Sequence, residues 1–220
     1  MAKTTVDPRP APRRQARGVA RREAIVRAAA DLVLREGPAA VTHRVVAARA
    51  DVPLAATTYY FTGLDDLMSA AGRLIVEGWA AHARGAAERA EKATSSQRAG
   101  SDEVPGLLVD AVLPPGGEGE VRGFYEHLVG AGRYPALAQA YADGRHQLDT
   151  AVGQLLAARG LARVSPALLV AVVDGAAVSA LSEGMDVRET AVRLVTDLVA
   201  SLGADVARDD RAAGASSAVA

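Results

Sequence analysis

The chain has 220 residues, half of them hydrophobic, with no cysteine and a formal net charge of −1. That length can bury one or two compact cores, and the lack of cysteine excludes disulfides and thiolate metal sites. No apolar run reaches the roughly 18–20 residues a membrane helix needs, and the basic N-terminus has no apolar segment behind it to make a signal peptide, so a soluble cytoplasmic protein is expected.

Divided at residue 63, the near-neutral total separates into opposed parts. Residues 1–63 hold 11 Lys and Arg against 5 Asp and Glu, a charge of +6, and residues 64–220 hold 14 against 21, a charge of −7. A basic front on an acidic body suggests a polyanion-binding head joined to a part with another task. Lysine occurs only at Lys3 and Lys92. GC-rich codon usage accounts for that arginine bias, which carries no functional weight.

Residues 1–18 place Pro8, Pro10 and Pro12 among Lys3, Arg9, Arg13, Arg14 and Arg17. This composition predicts a disordered basic arm. It is either a strand that follows phosphates or enters a minor groove, or a solvated tail. From about Arg17 to Glu36, Ala24, Ile25, Ala28, Ala29, Leu32 and Val33 recur at helical spacing, and Gly37-Pro38 stops the helix. Thr42 is suited to cap a short helix, His43–Ala50, because its hydroxyl can accept from an orphan N–H of the first turn. Asp51-Val52 breaks that helix. Pro53 is expected at the first position of a second one, Leu54–Tyr60, where proline is tolerated. Two short helices across a tight turn make a helix-turn-helix, whose second helix enters the DNA major groove. Val46, Ala47, Ala50, Val52, Thr57 and Phe61 are expected to form its inner face. Residues 19–63 are the expected DNA-binding domain.

With the preceding helix RREAIVRAAADLVLREG, and with Thr42, Val46-Ala47, Val52, Tyr60-Phe61 and Leu67 in register, this stretch resembles the tetracycline-repressor (TetR) family of transcriptional regulators over about 50 residues. VVDGAAVSALSEG at 172–184, followed by an amphipathic last helix, resembles the family more weakly. The resemblance implies DNA contacts from Thr42, Arg44, Leu54, Ala55, Ala56, Thr58, Tyr59 and Tyr60. Thr42 and Tyr60 would hold phosphates, whereas Arg44, Thr58 and Tyr59 reach base edges. The chain departs from the family at Asp51, where glycine is usual, and at Pro53, which replaces a common serine. Thr58 stands for a frequent tyrosine, and Leu64 for a phosphate-gripping lysine.

A fourth helix is expected from near Gly63 to about Lys92, with Asp65 and Asp66 in its first turn complementing the helix dipole. The polar stretch TSSQRAGSD at 94–102 is a loop. Beyond it the sequence reads as helices over 104–113, 118–132, 134–160, 165–182 and 187–202, with Ser165-Pro166 as N-cap and first-turn proline. The fold class is therefore all-α with about nine helices. An N-terminal three-helix DNA-binding domain precedes a helical effector-binding and dimerisation domain at 64–203 and a disordered tail at 204–220. The helix 165–182 is apolar nearly all round, which calls for burial on more than one side. Resembling proteins pair it and 187–202 with their twins, so a homodimer through these two helices is implied.

The body offers ingredients of an effector cavity in Trp79, His82, Phe124, Tyr125, His127, Tyr141 and Asp174. Taken singly, each reads first as a core residue. Asp174, in the middle of an apolar helix, needs partners or a shifted pKa. Asp143 and His146 share a face but are too few to hold a metal. No phosphate-cradling glycine loop, nucleophile elbow or zinc-protease helix is present, so neither an enzyme nor a cofactor is expected. Operator DNA and a small apolar or aromatic effector are the implied partners, no membrane is, and a ligand-responsive repressor is the expected function. The alternative is an effector-independent activator or architectural protein.

Overall fold

The structure, a computed structural model, describes residues 12–94 and 103–201. The polar loop at 95–102 and the tail beyond 201 lie outside the described residues, as do residues 1–11 of the expected arm. Nine α-helices and no strand occur among the described residues. The chain divides into two compact units, one made of Met1–Ile75 with Gly130–Tyr141, the other of Val76–Val129 with the remainder from Ala142. The division falls inside two long helices, whereas the sequence reading placed a boundary at residue 63.

In the first unit, α1 is Pro12–Glu36. It starts five residues ahead of the expected Arg17, so 12–18 is helical rather than part of a disordered arm. Proline is tolerated at a first helical position, and the arginines after it are good helix formers. Gly37, at φ 87, ends the helix, and Pro38–Ala40 makes a single 3₁₀ turn. The next helices are α2, His43–Arg49, and α3, Leu54–Tyr60. Asp51 takes φ 52 between them, the left-handed region for which the family's glycine is suited; Asp is among the few residues that tolerate it. Pro53 is the N-cap of α3 and not its first residue, with φ −58 and ψ 142. Its fixed φ fits either place, and its extended ψ decides between them.

Ile25, Ala29, Leu32, Val33, Val46, Phe61, Leu67 and Ala71 form the core of this unit. Arg49, at the end of α2, reaches both Asp31 and Glu36 on α1. These pairs are partly exposed, so they set orientation more than stability. The helix α4, Leu64–Thr94, starts in this unit and continues in the second. A Cβ at its Gly72 would sit 2.8 Å from that of Ala140, so the missing side chain is what allows the approach.

The second unit contains the rest of α4, then α5 (Val104–Val112), α6 (Glu118–Gly130), most of α7 (Pro135–Ala158), α8 (Pro166–Glu183) and α9, described over 187–201. Leu108, Val109, Val112, Leu148, Val152, Leu155, Leu169, Val173 and Val195 fill its core. A Cβ on Gly144 of α7 would run into Val76 of α4. Ser165 occupies the N-cap position of α8 with Pro166 behind it, yet its hydroxyl makes no capping bond. One further expectation is corrected. By length and composition α8 is apolar enough to cross a membrane, because a single carboxylate, Asp174, interrupts it before its final glutamate. It lies as a half-buried helix, with Leu169, Val170, Val173, Ala176, Ala177 and Ala180 inside.

Candidate nucleic-acid interface and effector site

The recognition surface is built on the caps of two seven-residue helices. Thr42 begins α2 in an extended conformation, and its Oγ1 accepts from the Val45 N–H at 3.2 Å. Its hydroxyl proton remains on an exposed side chain, beside the exposed Arg44. In α3 the alternation is sharp. Thr57 and Phe61 are buried, and the Thr57 hydroxyl is spent on the Leu54 carbonyl at 2.8 Å. Leu54, Ala55, Thr58 and Tyr59 face outward, Tyr59 with 81% of its surface exposed. Ala56 and Tyr60 are half-buried, and the Tyr60 ring meets that of Tyr59 edge-on at 5.0 Å. Adjacent positions point about 100° apart on a helix, so the two tyrosines cannot share one environment. Of the expected inner face, Ala50 and Val52 are only half-buried. Leu64, where a phosphate-gripping lysine is usual, is exposed.

In the second unit the structure joins four of the seven body candidates into one run. The Trp79 indole N–H donates to the Val112 carbonyl. Its ring packs edge-on against Phe124 at 4.8 Å, and Phe124 packs edge-on against Tyr125 at 5.3 Å. The Tyr125 hydroxyl donates to Asp174 at 3.0 Å. Burial pushes the Tyr125 phenol far above its ordinary value, and the neighbouring Asp174 charge adds to the rise. Burial also raises the Asp174 carboxyl, while the Tyr125 hydrogen bond and the Arg145 charge oppose it. The carboxylate in the middle of α8 thus has the partners its position demanded.

The other three candidates stand apart from this run. His127 is half-buried on α6. Tyr141 belongs to the first unit, where burial pushes its phenol up to about 12. His82 Nε2 donates to the Asp110 carbonyl at 2.7 Å and faces a cavity that none of the aromatic candidates lines. His146 Nδ1 donates to the Asp143 carbonyl at 2.7 Å, within its own helix. Sequence reasoning missed Arg145 as a charge near Asp174, and missed the Arg188–Asp110 pair beside His82. Neither has a local signal, because the partners lie on different helices.

Comparison with known proteins decides the relationship. A structure of a member of the TetR family from Streptomyces coelicolor A3 is 37% identical, over 81% of this chain and 97% of that one, with a TM-score of 0.55. The chain belongs to the TetR family. The tetracyclin repressor-like C-terminal domain is recognised over residues 99–201. The multidrug binding protein EbrR is also similar. Its imidazole complex is 38% identical, over 81% of this chain and 94% of that one, with a TM-score of 0.57. Its ethidium complex is 37% identical over 81% and 98%, with a TM-score of 0.58. EbrR has also been crystallised with malachite green and proflavin. No curated protein matches the chain significantly. As a TetR-family transcriptional regulator, the chain has the all-α fold its sequence implied.

Proposed function

We propose that this regulator is a ligand-responsive repressor that binds a pseudo-palindromic operator as a two-fold dimer and is released by a small aromatic effector. The observation that carries the reading is the outward face of α3: Leu54, Ala55, Thr58 and Tyr59 stand clear of the core on the end of the chain that bears +6. Phosphates attract such a head, and base edges are read by the side chains presented into the groove. One short helix covers only a few base pairs, so a second copy one DNA turn away supplies the specificity.

The dimer reading rests on α8. Its outer face carries Leu168, Ala171, Gly175, Val178 and Ser182 at three- and four-residue spacing, all exposed in the single chain. Small and apolar side chains in such a row suit close packing of a helix against its symmetry mate. The effector class rests on the Trp79–Phe124–Tyr125 run and on EbrR, whose ligands ethidium, malachite green and proflavin are aromatic cations. Asp174 at the end of the run would supply the opposite charge. An effector that wedges the rings apart would shift α4, which carries Trp79 and whose first residues follow α3 directly.

Selection of bound duplexes from a random pool, followed by footprinting, tests the reading. An inverted repeat protected by a dimer, and released by proflavin-like cations but not by neutral aromatics, is the expected outcome. Binding without sequence preference, or binding that no aromatic compound alters, would refute it.

A further inference from the structure

We infer that the second unit carries another small-molecule site, separate from the Trp79–Tyr125 run, that accepts a compact organic ammonium ion with an apolar body. A cavity of about 370 Å³ opens between α4, the segment joining α5 to α6, and the turn joining α8 to α9. That volume lies within the range of small-ligand pockets. It exists for a local reason. The joining segment reads Pro114-Pro115-Gly116-Gly117, which offers no long side chain to fill the space it encloses. The floor is apolar, since Leu113, Val121 and Val187 each keep only 8% of their surface exposed.

The polar groups of the wall select the charge. Arg188 is the one guanidinium lining the cavity, and both oxygens of Asp110 hold it, at 2.7 and 2.8 Å. The His82 N–H is likewise spent, on the Asp110 carbonyl. Two of the five guanidinium N–H groups and the imidazole N–H are thereby engaged, and Asp110 offsets the charge of Arg188. The carboxylates that remain are Glu118 and Asp186. Glu118 is 3.6 Å from Arg122, which does not line the cavity, and one Asp186 oxygen accepts from the Glu189 N–H at 2.6 Å. The wall therefore carries an excess of negative charge over an apolar floor. An alkyl- or arylammonium ion satisfies both, its nitrogen donating to the carboxylates and its hydrocarbon covering Leu113 and Val121. Trp79, Phe124, Tyr125 and Asp174 line no part of it, so the site stands whether or not the aromatic run binds an effector.

Benzylammonium chloride, benzyl alcohol and sodium benzoate share one ring and differ in charge, which makes them the probes. Titration into the full-length protein is followed by calorimetry and by Trp79 fluorescence, the indole being bonded to the carbonyl just before Leu113. Saturable binding of benzylammonium is expected, with the alcohol and the benzoate weaker by about tenfold or more. Glu118→Gln with Asp186→Asn should weaken benzylammonium by about tenfold; asparagine still caps α9, and circular dichroism checks the fold. Three results overturn the inference: no saturable binding, equal binding of benzyl alcohol, or binding that survives the double substitution, which the aromatic run would then account for if it disappears in Asp174→Asn.

Discussion

Tyr125 and Asp174 lie 49 positions apart in the chain and meet at 3.0 Å, the phenol donating to the carboxylate. The bond joins α6 to α8, with the charge of Arg145 on α7 also acting on the carboxylate. Replacing Tyr125 by Phe keeps the ring and its edge-on packing against Phe124 but removes the donor. A half-buried carboxylate that loses a hydrogen bond costs about 1–3 kcal/mol. Urea unfolding of Tyr125→Phe should show a loss in that range with an unchanged m-value, and an unaltered midpoint would mean the bond contributes nothing.

The same pair sets a pH dependence. Burial is the largest influence on the Asp174 carboxyl and raises it, against the lowering effects of Tyr125 and Arg145. The folded chain therefore keeps this proton to a higher pH than the unfolded chain. Between the two values the native state binds more protons, so stability falls as pH rises through that window. Asp174→Asn should remove this part of the slope in unfolding measured upward from the ordinary carboxylate range of about pH 4. A slope unchanged in the variant would place the titration elsewhere.

Close approach of α4 and α7 in the second unit depends on Gly144. Gly144→Ala would drive a methyl into Val76, and such overpacking costs about 1–3 kcal/mol. Adding Val76→Ala should restore part of the loss, which a double-mutant cycle reads as coupling between the two positions. Additive losses would show that the backbone yields instead.

On the head, Thr58→Ala and Tyr59→Ala remove exposed side chains, so melting temperatures should change little. Affinity for the selected operator should fall by about tenfold or more for the pair. Thr42→Ala should behave differently. It removes the cap of α2 and costs about 0.5–2 kcal/mol, which Thr42→Ser restores. Undiminished operator binding by the Thr58/Tyr59 pair would dismiss their role in recognition.

A charge placed on the outer face of α8 tests the dimer. Val178→Glu should convert the protein to a folded monomer in sedimentation, with operator affinity falling together with dimer content. A dimer that persists would move the interface to another surface.

The stretches legible in the sequence were those whose physics is local. Thr42 caps α2 because a hydroxyl sits one residue before an apolar period, and Thr57 faces inward because it lies one helical turn before the buried Phe61 and shares its face. The errors were local too. The arginines after Pro12 extended α1 beyond the point where the prolines argued for disorder, and the ψ of Pro53 placed it outside α3.

The sequence by itself determined an all-α chain, a basic helix-turn-helix head, and an apolar α8 with one carboxylate at its middle. These follow from periodicity, capping and charge, which act over a few residues. Only the tertiary structure decided that Trp79, Phe124, Tyr125 and Asp174 form one run, that His82 leaves it for a separate cavity, and that Arg188 neutralises Asp110. Those pairings depend on which helix faces cross. The crossings are set by the whole set of packed side chains, including the absent ones at Gly72 and Gly144, and no short window of sequence contains them.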